Sequence, residues 1–148
     1  VMLLYGLPRD EIGIAFFEGN TYVVKELHEQ RHVEDIVDDF MSVWPMNGTM
    51  ASRALEWSRE QLLSSKAKEK FCFIFTDAGF FDMLQSLKEI QKLQQMGVKV
   101  FAIIPQVGEG RMWYPSCVRA LREADCSVIE VSDPRDFPEV VSRAIKSA

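Results

Sequence analysis

Two histidines and a glutamate near the start of the chain have the spacing of a zinc site. The stretch from His28 to His32 reads H-E-Q-R-H. On a helix this H-E-x-x-H spacing places two imidazoles on one face and leaves Glu29 to activate a metal-bound water, and Glu56 could supply a third ligand. The stretch falls between a predicted strand and a predicted helix, so the two histidines are expected to be surface residues. A small zinc hydrolase is therefore the alternative hypothesis, and a protein that is not an enzyme is the first.

A hydroxyl and a carboxylate form the second candidate site. Asp77 follows the apolar run at 71–75, which is typical of a strand buried on both faces, and Thr49 precedes a predicted helix. Ligands of open α/β sheets bind beyond the carboxyl ends of the strands, and these oxygens suit Mg²⁺ or Mn²⁺. Two donors are too few for an octahedral ion. The alternative is that Thr49 caps a helix and Asp77 starts a turn.

Strands alternate with helices along the chain, which predicts βαβ units. Residues 11–17 and 21–27 read as strands joined by the tight turn Gly19-Asn20, and residues 98–104 and 127–131 as further strands. The apolar stripe of an amphipathic helix comprises Val33, Ile36, Val37, Phe40 and Met41. We expect an α/β fold in a single domain spanning 1–148: a doubly wound, mostly parallel sheet with helices on both faces and one antiparallel edge hairpin.

Two of the predicted helices begin at side chains suited to capping. Thr49 precedes the helix that carries Ala54 and Leu55, and Asp82 precedes the helix that Gly97 ends. A side-chain oxygen at such a position usually accepts a hydrogen bond from the first turn of its own helix. Both residues are therefore predicted to be N-caps.

Composition narrows the class of protein. The chain of 148 residues is 47% hydrophobic and 26% charged, which is ordinary for a globular domain with a core. A net charge of −5 argues against nucleic acid as a partner. No apolar run has the length of a membrane span, and no signal-peptide pattern opens the chain. The three cysteines share no metal-binding or redox spacing, which favours a reducing compartment, so a cytoplasmic location is expected.

Four stretches, taken in order, resemble the von Willebrand factor type A domain family. They are residues 10–17, Asn47-Gly48-Thr49 with the helix after them, residues 73–79, and residues 97–103. The resemblance implies a Rossmann-like sandwich with a metal-ion-dependent adhesion site. It implies that Thr49 and Asp77 help to hold Mg²⁺ or Mn²⁺ and that a partner's carboxylate completes the coordination.

The chain also departs from that family. The D-x-S-x-S motif and the first strand, which is the central strand of the family's sheet, are absent. The opening residues 1–5 read like the end of a helix closed by Gly6, so the chain is expected to lack its N-terminal strand and first half-helix, or to receive that strand from another segment. Ala78 stands where the family usually has glycine after the aspartate, and Asn47 replaces another common glycine.

We therefore expect a protein-interaction module that docks a protein partner through its carboxyl-edge loops, with a metal ion if the missing segment exists. The predicted partner-binding residues are Asn47, Gly48, Trp113 and Tyr114. The alternative for the two aromatic residues is that they cover the edge of the sheet. By resemblance, intracellular members of the family work beside AAA+ ATPases or metal-insertion machinery. A purely structural module with a decayed metal site is the third reading.

Overall fold

The computed structural model describes residues 11–42, 48–106 and 114–147. The predictions for residues 1–10, for Asn47 and for Trp113 therefore concern residues outside the described part. Within the described part, no helix is both long enough and apolar enough to cross a membrane. The elements are β1 (Ile14–Phe17), β2 (Thr21–Lys25), α1 (Val33–Ser42), α2 (Ser52–Ser64), β3 (Lys70–Phe75), α3 (Met83–Gln95), β4 (Val98–Pro105), α4 (Pro115–Glu123), β5 (Ser127–Val131) and α5 (Phe137–Lys146).

A three-stranded parallel sheet forms the centre of the fold. β4 pairs with β3 on one side and with β5 on the other. Alternate residues of β4 enter different apolar clusters: Val100 packs with Ile90 of α3 and Leu121 of α4, whereas Ile103 packs with Val141 of α5. Because side chains alternate along a strand, helices cover both faces of the sheet. The predicted doubly wound α/β fold is confirmed.

The predicted hairpin forms, but it does not belong to the parallel sheet. β1 and β2 pair antiparallel and make a two-stranded sheet of their own. Within the described residues no strand lies between β1 and β3, so β3 has a strand partner on one edge only. The expectation of a single sheet with an edge hairpin is corrected accordingly.

Contacts of side chains help to connect the hairpin to the rest of the molecule. Gln61 of α2 accepts a hydrogen bond from the backbone N–H of Leu27 at 2.8 Å. The ring of Phe17 at the end of β1 lies 6.1 Å from the ring of Phe80. α2 and these aromatic rings therefore hold the hairpin beside the parallel sheet.

The apolar stripe of α1 is only partly buried. Val33 and Ile36 pack against Val24 of the hairpin, with Val37 at the margin of this cluster. The apolar stripe predicts that Met41 is a core residue, but its side chain is 74% exposed in the structure.

Candidate functional site

Asp77 lies in a tight loop at the carboxyl end of β3, as predicted. Thr76 Oγ1 accepts a hydrogen bond from the backbone N–H of Ala78 at 3.1 Å, and Asp77 Oδ1 accepts one from Gly79 at 3.0 Å. Ala78 has a φ of 68°, in the left-handed region that a side chain rarely adopts. Asp77 therefore makes the turn that was the alternative reading, while its second carboxylate oxygen makes no hydrogen bond with the described residues.

Thr49 lies next to this loop. Thr49 and Phe80 form an isolated parallel bridge, and the Thr49 carbonyl accepts a hydrogen bond from the N–H of Phe81 at 2.8 Å. On the other side, the N–H of Met50 donates to the carbonyl of Glu18, after β1, at 2.8 Å. The strand-like segment that carries Thr49 thus lies between the hairpin and the Asp77 loop, so the fold brings the two predicted metal ligands to adjacent backbone segments.

Neither predicted N-cap acts on its own helix. The N-cap position of α2 is Ala51 rather than Thr49, and no side chain at that position caps the helix. Asp82 occupies the N-cap position of α3, but its side chain makes no capping bond to α3. The carboxylate of Asp82 reaches α2 instead, where it accepts hydrogen bonds from the N–H groups of Ala51 at 3.0 Å and Ser52 at 2.9 Å.

The Asp82 carboxylate is charged although it is buried. The residue is 7% exposed, and the hydroxyl of Ser86 donates a further hydrogen bond at 3.0 Å. Burial by itself raises the pKa of Asp82, but the hydrogen bonds from Ser52, Ala51 and Ser86 outweigh it, so that the pKa lies below its usual value. The role of Asp82 could not be read from the sequence, because the bonded groups lie 30 and 31 residues away.

Aromatic and aliphatic side chains surround the two loops. The ring of Phe81 lies against Gly48, and the ring of Tyr114 lies against Gly79, where an added Cβ would stand only 2.5 Å from ring carbons in either case. The exposed fractions of the rim residues are 78% for Phe81, 73% for Leu84, 43% for Met50 and 42% for Tyr114. We call these four residues the apolar rim. Only Tyr114 of the four was predicted from the sequence to bind a partner.

The donors at this edge match the hard cations in type but not in number. The Thr49 hydroxyl and the Asp77 carboxylate offer oxygens of the kind that Mg²⁺ and Mn²⁺ take. Among the described residues, no group of three or more His, Cys, Asp and Glu side chains lies where it could hold a metal ion. Other donors, from water, from a partner or from residues outside the described part, are therefore needed for a complete site.

The H-E-x-x-H stretch is not helical. It forms the end of a turn and an irregular segment between β2 and α1. His28 Nε2 lies 3.4 Å from the hydroxyl of Ser64, and Glu29 accepts a hydrogen bond from the N–H of Glu26 at 3.0 Å. His32 is exposed, and Glu56 lies on α2. The helical spacing that would align two imidazoles is thus absent from this stretch.

Comparison with known proteins yields structures but no sequence family. No model of a known protein family matches the chain, and neither does any curated protein. Solved structures share the fold, among them two from Bacteroides species. One is an aerotolerance-related membrane protein from Bacteroides fragilis NCTC 9343 with multiple mutations to serines; the TM-score is 0.72, the identity 14%, and the match covers 99% of this chain and 84% of that one. The other is the conserved hypothetical protein BatB from Bacteroides thetaiotaomicron, with the same TM-score and identity and a coverage of 99% and 82%. At this identity the likeness shows the fold alone.

Proposed function

We propose that the chain is a protein-interaction module of the von Willebrand A type, which docks a protein partner at the carboxyl edge of its parallel sheet. The observation that carries this proposal is the coincidence of three features at one edge: the adjacent loops of Thr49 and Asp77, the Asp77 carboxylate oxygen that has no hydrogen bond with the described residues, and the exposed residues of the apolar rim. Exposed apolar clusters on a folded domain commonly mark binding surfaces.

The chemistry of this edge favours a partner with an acidic side chain flanked by apolar ones. A divalent cation held partly by Thr49 and Asp77 would accept a carboxylate oxygen from the partner, while Phe81 and Leu84 would bury the apolar neighbours. What the protein's own residues contribute is two hard oxygen donors and an apolar surface. The family resemblance suggests an intracellular complex built around an AAA+ ATPase or a metal-insertion enzyme.

Co-purification of the protein from its own cells tests this proposal. The Asp77→Ala variant should lose its partner, because it removes the only carboxylate that the described loops of Thr49 and Asp77 present to solvent. The matched control is Glu69→Ala. Glu69 is an exposed carboxylate directly before β3, and it therefore lies at the opposite end of that strand from Asp77. Addition of EDTA should release the partner from the wild type, and Mg²⁺ or Mn²⁺ should restore it.

The outcomes separate the parts of the proposal. Loss of the partner in Asp77→Ala and in EDTA, but not in Glu69→Ala, supports metal-assisted docking. Retention of the partner in both Asp77→Ala and EDTA would refute the metal site. Equal loss in the two variants would refute docking at the carboxyl edge.

A further inference from the structure

Asp82 connects the two halves of the proposed site. Its carboxylate holds the N–H groups of Ala51 and Ser52, which lie two and three residues after Thr49. Its own backbone lies in the segment that follows Asp77 and pairs with Thr49 through Phe80. One buried side chain therefore connects the segment at 48–52 with the segment at 77–82.

The charge of Asp82 has no cation to balance it among the described residues. The carboxylate faces the first turn of α2, where backbone N–H groups point outward and the helix dipole favours a negative charge. The N–H groups of Ala51 and Ser52 and the hydroxyl of Ser86 donate hydrogen bonds to it. The start of α2 is thus occupied by the protein's own carboxylate, and the geometry of the bonds fixes where α2 begins relative to the Asp77 loop.

Glu89 provides a comparison within the same pair of helices. It is 9% exposed, lies on α3 like Ser86, and also connects α3 with α2. Its partners are cations: Arg59 Nε at 3.1 Å and Lys92 Nζ at 2.7 Å. Glu89 touches neither the Thr49 segment nor the Asp77 loop in the described hydrogen bonds. Glu89 therefore serves as a control that connects the two helices without connecting the two loops.

We propose that Asp82 is a positioning residue: its buried carboxylate locks the segment at 48–52 to the segment at 77–82 and thereby fixes Thr49 relative to Asp77. This inference rests on the proposed function, since it explains how the proposed site is positioned. The hydrogen bonds that lock the two segments require neither metal nor partner. It assigns to Asp82 a role that is separate from capping its own helix.

Amide hydrogen exchange of the purified protein, measured residue by residue by NMR, tests the locking. In Asp82→Asn, the amides of Ala51, Ser52 and Phe81 should exchange about tenfold faster or more after correction for the global loss of stability, since hydrogen bonds to a charged acceptor are worth at least that factor. In Glu89→Gln the same amides should change only as much as the rest of the core. Equal, merely global changes in the two variants would overturn the proposal.

Two further measurements keep the result decisive. If Asp82→Asn does not fold, Ser86→Ala removes one of the donors without touching either loop and should give a smaller increase at the same amides; no increase there overturns the proposal. Partner co-purification should fall in Asp82→Asn and not in Glu89→Gln. If Asp77→Ala retains the partner, the proposed metal site fails, while the exchange data still decide the role of Asp82.

Discussion

Replacement of Phe81 by alanine separates folding from binding. The residue is 78% exposed, so about a fifth of its surface is buried against the protein. A phenylalanine has about 200 Å² of surface, so about 45 Å² is lost from the folded protein and, at about 25 cal/mol per Å², folding loses about 1 kcal/mol. The ring packs on Gly48 at the surface, so its removal leaves no enclosed cavity.

Binding should suffer more than folding does. If a partner covers the exposed remainder, about 155 Å² is at stake, which sets an upper limit of about 4 kcal/mol. Central aromatic residues of interfaces cost about 2 kcal/mol or more on truncation, which is about a 30-fold loss of affinity. Urea unfolding gives the first quantity, and quantitative co-purification from the protein's own cells gives the second.

Leu63→Ala is the control for this experiment. Leu63 is 58% exposed, but it lies in the last turn of α2, about 17 Å along the helix from the end near Thr49. Because a larger fraction of Leu63 is buried, its truncation should weaken folding at least as much as Phe81→Ala does, while it should leave binding unchanged. If Phe81→Ala binds as well as the wild type, or if Leu63→Ala loses the partner equally, Phe81 is not part of a docking surface.

Three other properties follow from the described contacts. The amide of Thr76 donates to Ile103 of β4, so the amide of Ile74, two residues earlier on the strand, also points to β4. The amide of Phe73 points instead to the edge of β3 that no described strand covers. Phe73 should therefore exchange its amide hydrogen faster than Ile74, and equal protection of the two amides would show that a strand lies at that edge. The pKa of Asp82 is lowered in the folded state, so its stabilisation is complete above its unfolded pKa of about 3.9 and is lost as the pH falls through the folded value; urea midpoints should fall less steeply with acid in Asp82→Asn than in the wild type. Burial raises the pKa of Cys126 to about 11, so iodoacetamide at pH 8 should label the half-buried Cys117 first, and mass spectrometry after brief labelling would contradict this if Cys126 were modified at the same rate.

The sequence predicts those features that depend on local patterns. The strand at 71–75 is recognisable because it is a short apolar run between charged residues and a turn, and the structure places β3 at Lys70–Phe75. The position of Asp77 follows from the end of that run. The hairpin follows from Gly19-Asn20, since so short a connection allows only antiparallel neighbours. In the structure Phe17 pairs with Thr21, so the connection has three residues rather than the predicted two.

The remaining features depend on contacts between distant parts of the chain. Thr49 has the right residue type and place for an N-cap, but α2 begins at Ser52, and its first amides are bonded by Asp82 from another helix. Exposure of Met41 could not be inferred from periodicity, because periodicity shows which residues share a face of the helix and not which of them another element covers. Local patterns specify elements, whereas tertiary packing decides which element supplies each bond.

The apolar rim shows the same limit. Phe81 follows Phe80 directly, yet Phe80 is 5% exposed and packs in the core, whereas Phe81 lies on the surface. Hydrophobicity alone would place both rings in the core. The exposed rim could therefore be recognised only in the folded protein.

Photo-crosslinking in the protein's own cells tests the central claim most directly. A benzoyl-phenylalanine is placed at Leu84 in the rim and, in a second variant, at Leu63 at the opposite end of α2. We expect one abundant crosslinked protein from position 84, abolished by Asp77→Ala, and none of that protein from position 63. The same crosslinked protein from both positions, or from position 63 alone, would contradict docking at the carboxyl edge.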